Sequence, residues 1–279
     1  QAFDVNAGRA YTAALENKVE ASKFVPDRIS TQSTHPWFLR CDFSGSMGGW
    51  PNPIVAKWPY VDHEVRTEYL GPDSELSIGA HADSRDTYPM QIQDFQKEAG
   101  VQAATDALMF TGGGGGSDQY HEAHGLVALY DCRNAETPNA IIKPPYILIT
   151  DEMAHPTISK DDARNIAKVI IKQDVLHTSA VFKELMEKYS VYVVVKPYHD
   201  GDVSGDKLSG ITQRVHQFWC NVVGIERVAL LPDPKRVVDV IFGILAKETG
   251  KIDYFKEELE ARQLPDKGGK KKVETVYKA

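Results

Sequence analysis

Three oxygen-bearing side chains stand at alternate positions in the segment Asp42-Phe43-Ser44-Gly45-Ser46. The segment follows the apolar residues 37–39, which predict the end of a buried strand. Gly45 and Gly48 let the chain turn sharply after the strand. One carboxylate and two hydroxyls suit a hard cation such as Mg²⁺, which prefers oxygen ligands and keeps some of its waters. The segment therefore predicts a candidate metal site at a strand end.

Two further segments carry side chains of the same chemistry. Asp151 ends the apolar run 146–150, which predicts a second fully buried strand. Between the two strands, Thr111 precedes five glycines, which Ser117 and Asp118 follow at the start of a predicted helix. A helix N-terminus favours an anion or a bound water, so either side chain is a candidate for the same cation.

The elements that must position these residues alternate along the chain. Apolar segments predict strands over residues 36–41, 75–80, 88–92, 146–151, 191–195 and 227–231. Residues 88–92 alternate apolar and polar side chains, which predicts a half-exposed strand, and Pro89 puts it at a sheet edge. Helices are predicted over 53–70 (interrupted), over 101–108, along the apolar stripe of 123–130, after the N-cap Ser159, over 181–189, and from Asp233-Pro234 to Gly250. Strands that are apolar throughout and alternate with helices predict an α/β fold with a mostly parallel, doubly covered sheet.

Asp-x-Ser-x-Ser after an apolar strand resembles the metal-ion-dependent adhesion site (MIDAS) of von Willebrand factor A (vWA) domains. That site also uses a Thr or Asp in a later loop and an Asp after the fourth strand. Asp42, Ser44 and Ser46 match the first part, and Asp151 matches the last. The resemblance covers residues 36–248 and implies a six-stranded, Rossmann-like sheet of order 3-2-1-4-5-6, with strand 3 antiparallel at the edge. In that order Asp42 and Asp151 meet at the topological switch point, where open α/β sheets bind ligands.

The middle part of the motif departs from the common Gly-Gly-Thr. The chain has Gly114-Gly115-Gly116-Ser117-Asp118 instead, and Asp151 to His155 reads Asp-x-x-x-His. Both patterns, together with residues 78–83, are similar to an intracellular vWA subgroup. The resemblance implies Asp118 as the further metal ligand. It leaves Ser117, Thr111 and His155 as second-shell groups or alternative ligands.

The resemblance implies a protein-binding module that grips an Asp or Glu of a partner through Mg²⁺, with Mn²⁺ or Ca²⁺ as alternatives. Intracellular members often work in assemblies, some with AAA-type ATPases. Direct binding by both Asp118 and Asp151 would neutralise the ion and weaken its attraction for an acidic partner. Two alternatives stay open: a metal-dependent enzyme, such as a phosphoester hydrolase, and a structural subunit of an assembly.

Other sites fit the sequence less well. The glycine run lacks the Gly-Lys-Ser/Thr of a nucleotide P-loop and comes too late for a dinucleotide fingerprint. Gly45-Ser46-Met47-Gly48 is not a nucleophile elbow. An aspartyl-phosphate phosphatase needs a second Asp where Ser44 stands.

His121, His124 and His155 are a further candidate zinc site, but we interpret His121 and His124 as polar helix residues. No residue has the nucleophile–base pairing of a hydrolase, so we do not expect an enzyme.

Composition bounds the remaining possibilities. The 279 residues carry a formal net charge of −7, which argues against a nucleic-acid surface. No apolar run approaches the ~20 residues of a membrane span. Three cysteines far apart indicate reduced thiols, so we expect a cytoplasmic protein. We expect an N-terminal helical arm (1–34), a vWA domain (35–250), and a charged C-terminal helix with a flexible tail (251–279).

Overall fold

A six-stranded mixed sheet forms the centre of the protein. The structure is a computed structural model that describes residues 24–110, 120–199, 202–204, 207–208 and 210–263. The strands of the sheet are β1 (Pro36–Asp42), β2 (Glu75–His81), β3 (Met90–Ile92), β4 (Pro145–Thr150), β5 (Ser190–Val195) and β6 (Val228–Leu230). Their order across the sheet is β6-β5-β4-β1-β2-β3. All neighbours are parallel except β2 and β3.

Helices cover both faces of this sheet, as the sequence predicts for an α/β fold. They are α1 (Pro51–Val55), α2 (Trp58–Glu64), α3 (Ala99–Asp106), α4 (Glu122–Asn134), α5 (Lys160–Asn165), α6 (Thr178–Lys188), α7 (Gly210–Val223), α8 (Val237–Thr249) and α9 (Ile252–Gln263). Helix α2 continues as a π-helical turn over Val65–Tyr69, and 3₁₀ turns occupy Gly45–Met47, Ile225–Arg227 and Pro234–Arg236. Within the described ranges, no helix combines the length and apolar character that crossing a bilayer requires.

Among the described residues, four two-strand pairs lie outside the central sheet. Ile29–Ser30 runs parallel to Ala135–Glu136, and Tyr120–His121 runs parallel to Met153–Ala154. Thr157–Ser159 pairs with Val175–His177, and Val203–Ser204 pairs with Lys207–Leu208, both antiparallel. The first pair draws part of the predicted N-terminal arm onto the domain, because Ile29 and the nearby Val25 are buried in its core.

Alternate residues of each strand supply two separate hydrophobic cores. On one face, Phe38 and Leu148 pack with side chains of α4, α6 and α7. On the other, Leu39 and Ile147 pack with side chains of α1, α2, α8 and α9. Two covered faces explain why the strands are apolar at nearly every position.

The sequence predicts the wrong exposure for the third strand and leaves one helix unassigned. The third strand is not half-exposed: Met90–Ile92 is buried throughout, including Gln91. The Gln91 amide exchanges two hydrogen bonds of 2.7 Å with the backbone of Met109, which satisfies its polar atoms inside the protein. A helix that the sequence analysis did not assign, α7, lies between β5 and β6 and buries Val215, Trp219 and Val223.

Candidate functional site

The predicted Asp42 segment forms a compact loop at the carboxyl end of β1. Asp42 is the last residue of the strand, and its Oδ1 accepts a 2.8 Å hydrogen bond from the Ser44 backbone N–H. This side-chain bond replaces a backbone turn bond and closes the loop. Gly48 then ends the 3₁₀ turn at φ 54°, a left-handed conformation that glycine adopts without strain.

The hydroxyls of this loop reach the acid that follows β4. Ser44 Oγ lies 3.0 Å from Ser46 Oγ, and Ser46 Oγ donates a 3.0 Å hydrogen bond to Asp151 Oδ1. Asp42 and Asp151 are both fully buried. The structure therefore brings together four of the five predicted metal ligands at the switch point between β1 and β4.

A lysine that was not predicted as a site residue belongs to the same crevice. Lys196 directly follows β5, and its Nζ donates a 2.9 Å hydrogen bond to Asp151 Oδ2. The ammonium also contacts the backbone oxygens of Ser46 and Tyr198 and lies 5.5 Å from the ring centre of Trp50. Lys196 stands at the end of an apolar strand, as Asp42 and Asp151 do, and this position could have identified it from the sequence.

The Asp42 carboxylate affects the ionisation of Asp151. Burial and the negative charge of Asp42 raise the pKa of Asp151 to about 6, although Lys196 opposes the shift. A cation bound between the acids would favour the ionised form of Asp151.

Two buried histidines lie behind the loop. His81 ends β2 as the register partner of Asp42, and His124 comes from the first turn of α4. Their rings are 4.5 Å apart in an edge-to-face contact. Candidate ligand atoms of Asp42, His81 and His124 all lie within 4.8 Å of one another. His124 was interpreted as an ordinary polar residue on a helix surface. That interpretation is wrong, because its side chain is only 1% exposed.

Thr150 links these histidines to the Asp42 carboxylate. Its hydroxyl donates a 2.9 Å hydrogen bond to Asp42 Oδ2 and lies 2.8 Å from His124 Nε2. The last residue of β4 thereby fixes one oxygen of Asp42. From the sequence, Thr150 was predicted only as a strand residue.

Of the remaining predicted residues, the structure describes the side chain of His155 only. Thr111, Ser117 and Asp118 fall outside the described residues, as does the side chain of His121. His155 is half-buried in the loop after β4, where its Nδ1 lies 2.9 Å from the Thr157 backbone oxygen. Its second-shell role stays a prediction.

Comparison with known proteins identifies the fold but no family. No protein-family model matches the sequence, and no curated protein matches it. Two structures of the pilus adhesin SpaC from Lactobacillus rhamnosus GG, one in an open conformation, match with a TM-score of 0.54. They are 12% and 11% identical over 83% of this chain. Proximal thread matrix protein 1 from the mussel byssus matches at 13% identity over 79% of this chain and 46% of its own, with a TM-score of 0.43.

The SpaC match concerns only part of that adhesin. This chain spans about a third of it, covering 32% and 31% of the two solved chains. At such low identity the likeness is one of fold alone.

Proposed function

We propose that this protein is a vWA-type module that binds another protein through Mg²⁺ held in the crevice of Asp42, Ser44, Ser46 and Asp151. Asp118 is the proposed further ligand, with Ser117 as its alternative. The ion keeps an open position, which a carboxylate of the partner fills. Mn²⁺ and Ca²⁺ share the preference for oxygen ligands and would substitute for Mg²⁺.

The spacing of the crevice oxygens is the observation that carries this proposal. Ser44 Oγ, Ser46 Oγ and Asp151 Oδ1 follow one another at 3.0 Å intervals. Two oxygens that bind Mg²⁺ at about 2.1 Å and at right angles lie about 3.0 Å apart. The three atoms therefore suit adjacent corners of an octahedron, once the Ser46 hydroxyl turns its hydrogen away from Asp151.

The charge of the crevice supports attraction of an acidic group. Asp42 and Asp151 contribute two negative charges, and the Lys196 ammonium, 2.9 Å from Asp151, offsets one of them. A bound divalent cation therefore leaves these groups with a net positive charge when Ser117 is the further ligand, whereas direct binding by Asp118 would cancel it. Buried charges interact strongly because little water screens them, so the net positive charge of the Ser117 arrangement favours a partner's carboxylate at the open position.

The fold likeness to a pilus adhesin agrees with a binding role. SpaC is named for attachment, and we extend that general class of function to this chain as part of the proposal. The partner of this protein is defined only by chemistry, as a protein surface with an exposed Asp or Glu.

Calorimetric titration with Mn²⁺ and Mg²⁺ tests the ion site. We expect wild type to bind one ion at the crevice and Ser46→Ala to weaken its binding by more than about tenfold, since a direct ligand is lost. Ser179→Ala is the matched control, because Ser179 is exposed on α6. Equal Mn²⁺ affinity in Ser46→Ala and wild type would overturn the proposal.

Acetate serves as the probe for the partner's carboxylate. Electron paramagnetic resonance of the Mn²⁺-loaded protein reports the ligands of the ion. We expect acetate to replace a bound water and change the wild-type spectrum. A spectrum that saturating acetate leaves unchanged would contradict an open, carboxylate-binding position.

A further inference from the structure

A second cluster of metal-ligating side chains lies on the inner side of Asp42. Asp42 and His81 end neighbouring parallel strands at paired positions, so both side chains point to the same face of the sheet. Helix α4 packs on that face and contributes His124. All three side chains are at most 1% exposed. Three elements that are distant in sequence thus meet at one buried point.

The donor atoms of this cluster differ in kind from those of the crevice. Two imidazoles and one carboxylate suit Zn²⁺ and other first-row transition metals, whereas Mg²⁺ and Ca²⁺ prefer oxygen ligands throughout. Three protein ligands with a fourth position open is an arrangement found at catalytic zinc ions. The cluster therefore predicts a different class of ion from that of the crevice.

The distances allow such an ion without a change of fold. Asp42 Oδ2 lies 3.8 Å from His124 Nε2. Two ligands about 2.0–2.1 Å from one zinc ion lie at most about 4.2 Å apart, so an ion fits between these atoms. The candidate ligand atoms all lie within 4.8 Å of one another. Side-chain rotations that move these atoms by about 1 Å bring the widest pair to the spacing of a tetrahedral zinc site.

Thr150 already orients two of the three ligands. Its hydroxyl hydrogen is directed at Asp42 Oδ2, so in this arrangement His124 Nε2 donates to the hydroxyl oxygen. Metal binding at Nε2 replaces that hydrogen bond and requires the tautomer with its proton on Nδ1. The bond from Thr150 to Asp42 can persist and would hold the carboxylate in place beside the ion.

We propose that Asp42, His81 and His124 bind a Zn²⁺-class transition-metal ion, separate from the Mg²⁺ crevice but sharing Asp42 with it. The two oxygens of Asp42 face different ways: Oδ1 accepts from the Ser44 loop, and Oδ2 faces Thr150 and His124. This second site does not depend on the proposed protein-binding function, because neither histidine belongs to the crevice.

Titration of the metal-free protein with Co²⁺ tests the inner site directly. Co²⁺ bound with four or five ligands gives strong visible absorption, whereas six-coordinate Co²⁺ absorbs weakly. We expect wild type to show the strong bands at one equivalent and Zn²⁺ to abolish them by competition. If wild type shows only the weak six-coordinate spectrum, the inner site is excluded whatever the variants do.

Substitutions separate the inner site from the crevice. We expect His81→Gln and His124→Gln to weaken Co²⁺ binding by more than about tenfold while Mg²⁺ binding is unchanged. We expect Ser46→Ala to give the opposite pattern. His63→Gln is the control, because His63 is an exposed helix residue on the opposite side of the sheet.

These outcomes also distinguish the two proposals. Loss of Mg²⁺ binding in Ser46→Ala, with Co²⁺ binding equal in wild type and both histidine variants, overturns only the inner site. Circular dichroism of each variant establishes that a loss of binding is not a loss of folding. Glutamine keeps a polar, hydrogen-bonding side chain in the buried space, which favours folded variants.

Discussion

The two oxygens of Asp42 have different partners, which makes this residue a poor probe of either proposed site alone. Oδ1 belongs to the loop of Ser44, and Oδ2 accepts from Thr150. Replacing Asp42 removes both contacts and leaves the Thr150 hydroxyl with the more distant Glu152 backbone oxygen, at 3.5 Å, as an acceptor. Ser46 and His124 each belong to only one of the two proposed sets of ligands, so substitutions there are more informative.

Arg40 illustrates how a buried charge is stabilised beside the site. In the middle of β1 its guanidinium makes a bidentate pair with Asp131 on α4, at 2.9 and 2.8 Å. Both side chains are fully buried. Tyr146 donates a further 2.9 Å hydrogen bond to the same carboxylate. The pair is locked into the core that α4 shares with the sheet.

Asp131→Ala should therefore destabilise the protein strongly. It leaves the Arg40 charge buried without a partner, which costs about 3–5 kcal/mol of unfolding free energy. Glu184→Ala is the matched control, because its pair with Arg133 is partly exposed and contributes about 1 kcal/mol or less. Urea denaturation measures both values. Similar losses in the two variants would contradict the importance of burial.

Asp62 should make stability depend on pH in the acidic range. Burial raises the pKa of Asp62 to about 6, and the hydrogen bond from the Glu98 backbone N–H and the charge of Arg66 only partly oppose this. Between about pH 4 and pH 6 the native state keeps a proton that the unfolded chain has released. The free energy of unfolding should therefore fall as pH rises through this window, by up to about 3 kcal/mol.

Asp62→Asn removes the ionisation and tests this expectation. The variant should gain stability relative to wild type progressively from about pH 4 to pH 6, because its amide stays neutral throughout. Urea denaturation at several pH values gives the difference. A difference that stays constant across this range would show that Asp62 does not titrate there.

At the scale of elements, local patterns identified most of the architecture. Apolar segments predicted five strands of the sheet and alternation of apolar and polar residues predicted the third, and the N-cap Ser159 is confirmed by a 3.1 Å bond from the Asp162 N–H. Burial of Gln91 was not predictable, because its partners are backbone atoms of Met109, eighteen positions away in the chain. Helix α7 was missed although its apolar residues recur at helical spacing.

The close approach of β2 and β3 depends on a glycine. A Cβ at Gly79 would lie 2.8 Å from the Gln91 backbone oxygen and 2.9 Å from Ile92 Cδ1. Gly79→Ala should therefore cost about 1–3 kcal/mol of stability, because backbone must shift to relieve the contact. Gly49→Ala, whose Cβ meets no atom within 4 Å, is the control and should be nearly neutral. Thermal denaturation compares the two, and equal melting temperatures would contradict this packing.

At the scale of the whole molecule, strand ends explain which part of the site was predictable. Asp42 ends one buried strand and Asp151 follows another, so their meeting at one edge was expected from the predicted sheet. Lys196 could have been predicted in the same way, since it directly follows β5. The contact between His81 and His124 could not have been predicted, because it depends on how α4 is rotated over the sheet. The periodicity of the α4 sequence does not give that rotation.

The same sheet joins the two hydrophobic cores into one cooperative unit. Neighbouring residues of one strand, such as Phe38 and Leu39, serve opposite cores, so neither core can open while the other keeps its strands. We expect a single calorimetric transition whose van't Hoff and calorimetric enthalpies agree.

Leu185→Ala and Leu245→Ala each empty a fully buried position, one in each core. Each should cost about 2–5 kcal/mol and lower the same melting peak by about 5–15 °C. Ile141→Ala, at a side chain that is 71% exposed, is the control and should leave the peak in place. Two peaks, each shifted by only one of the leucine variants, would mean that the two faces of the sheet unfold separately.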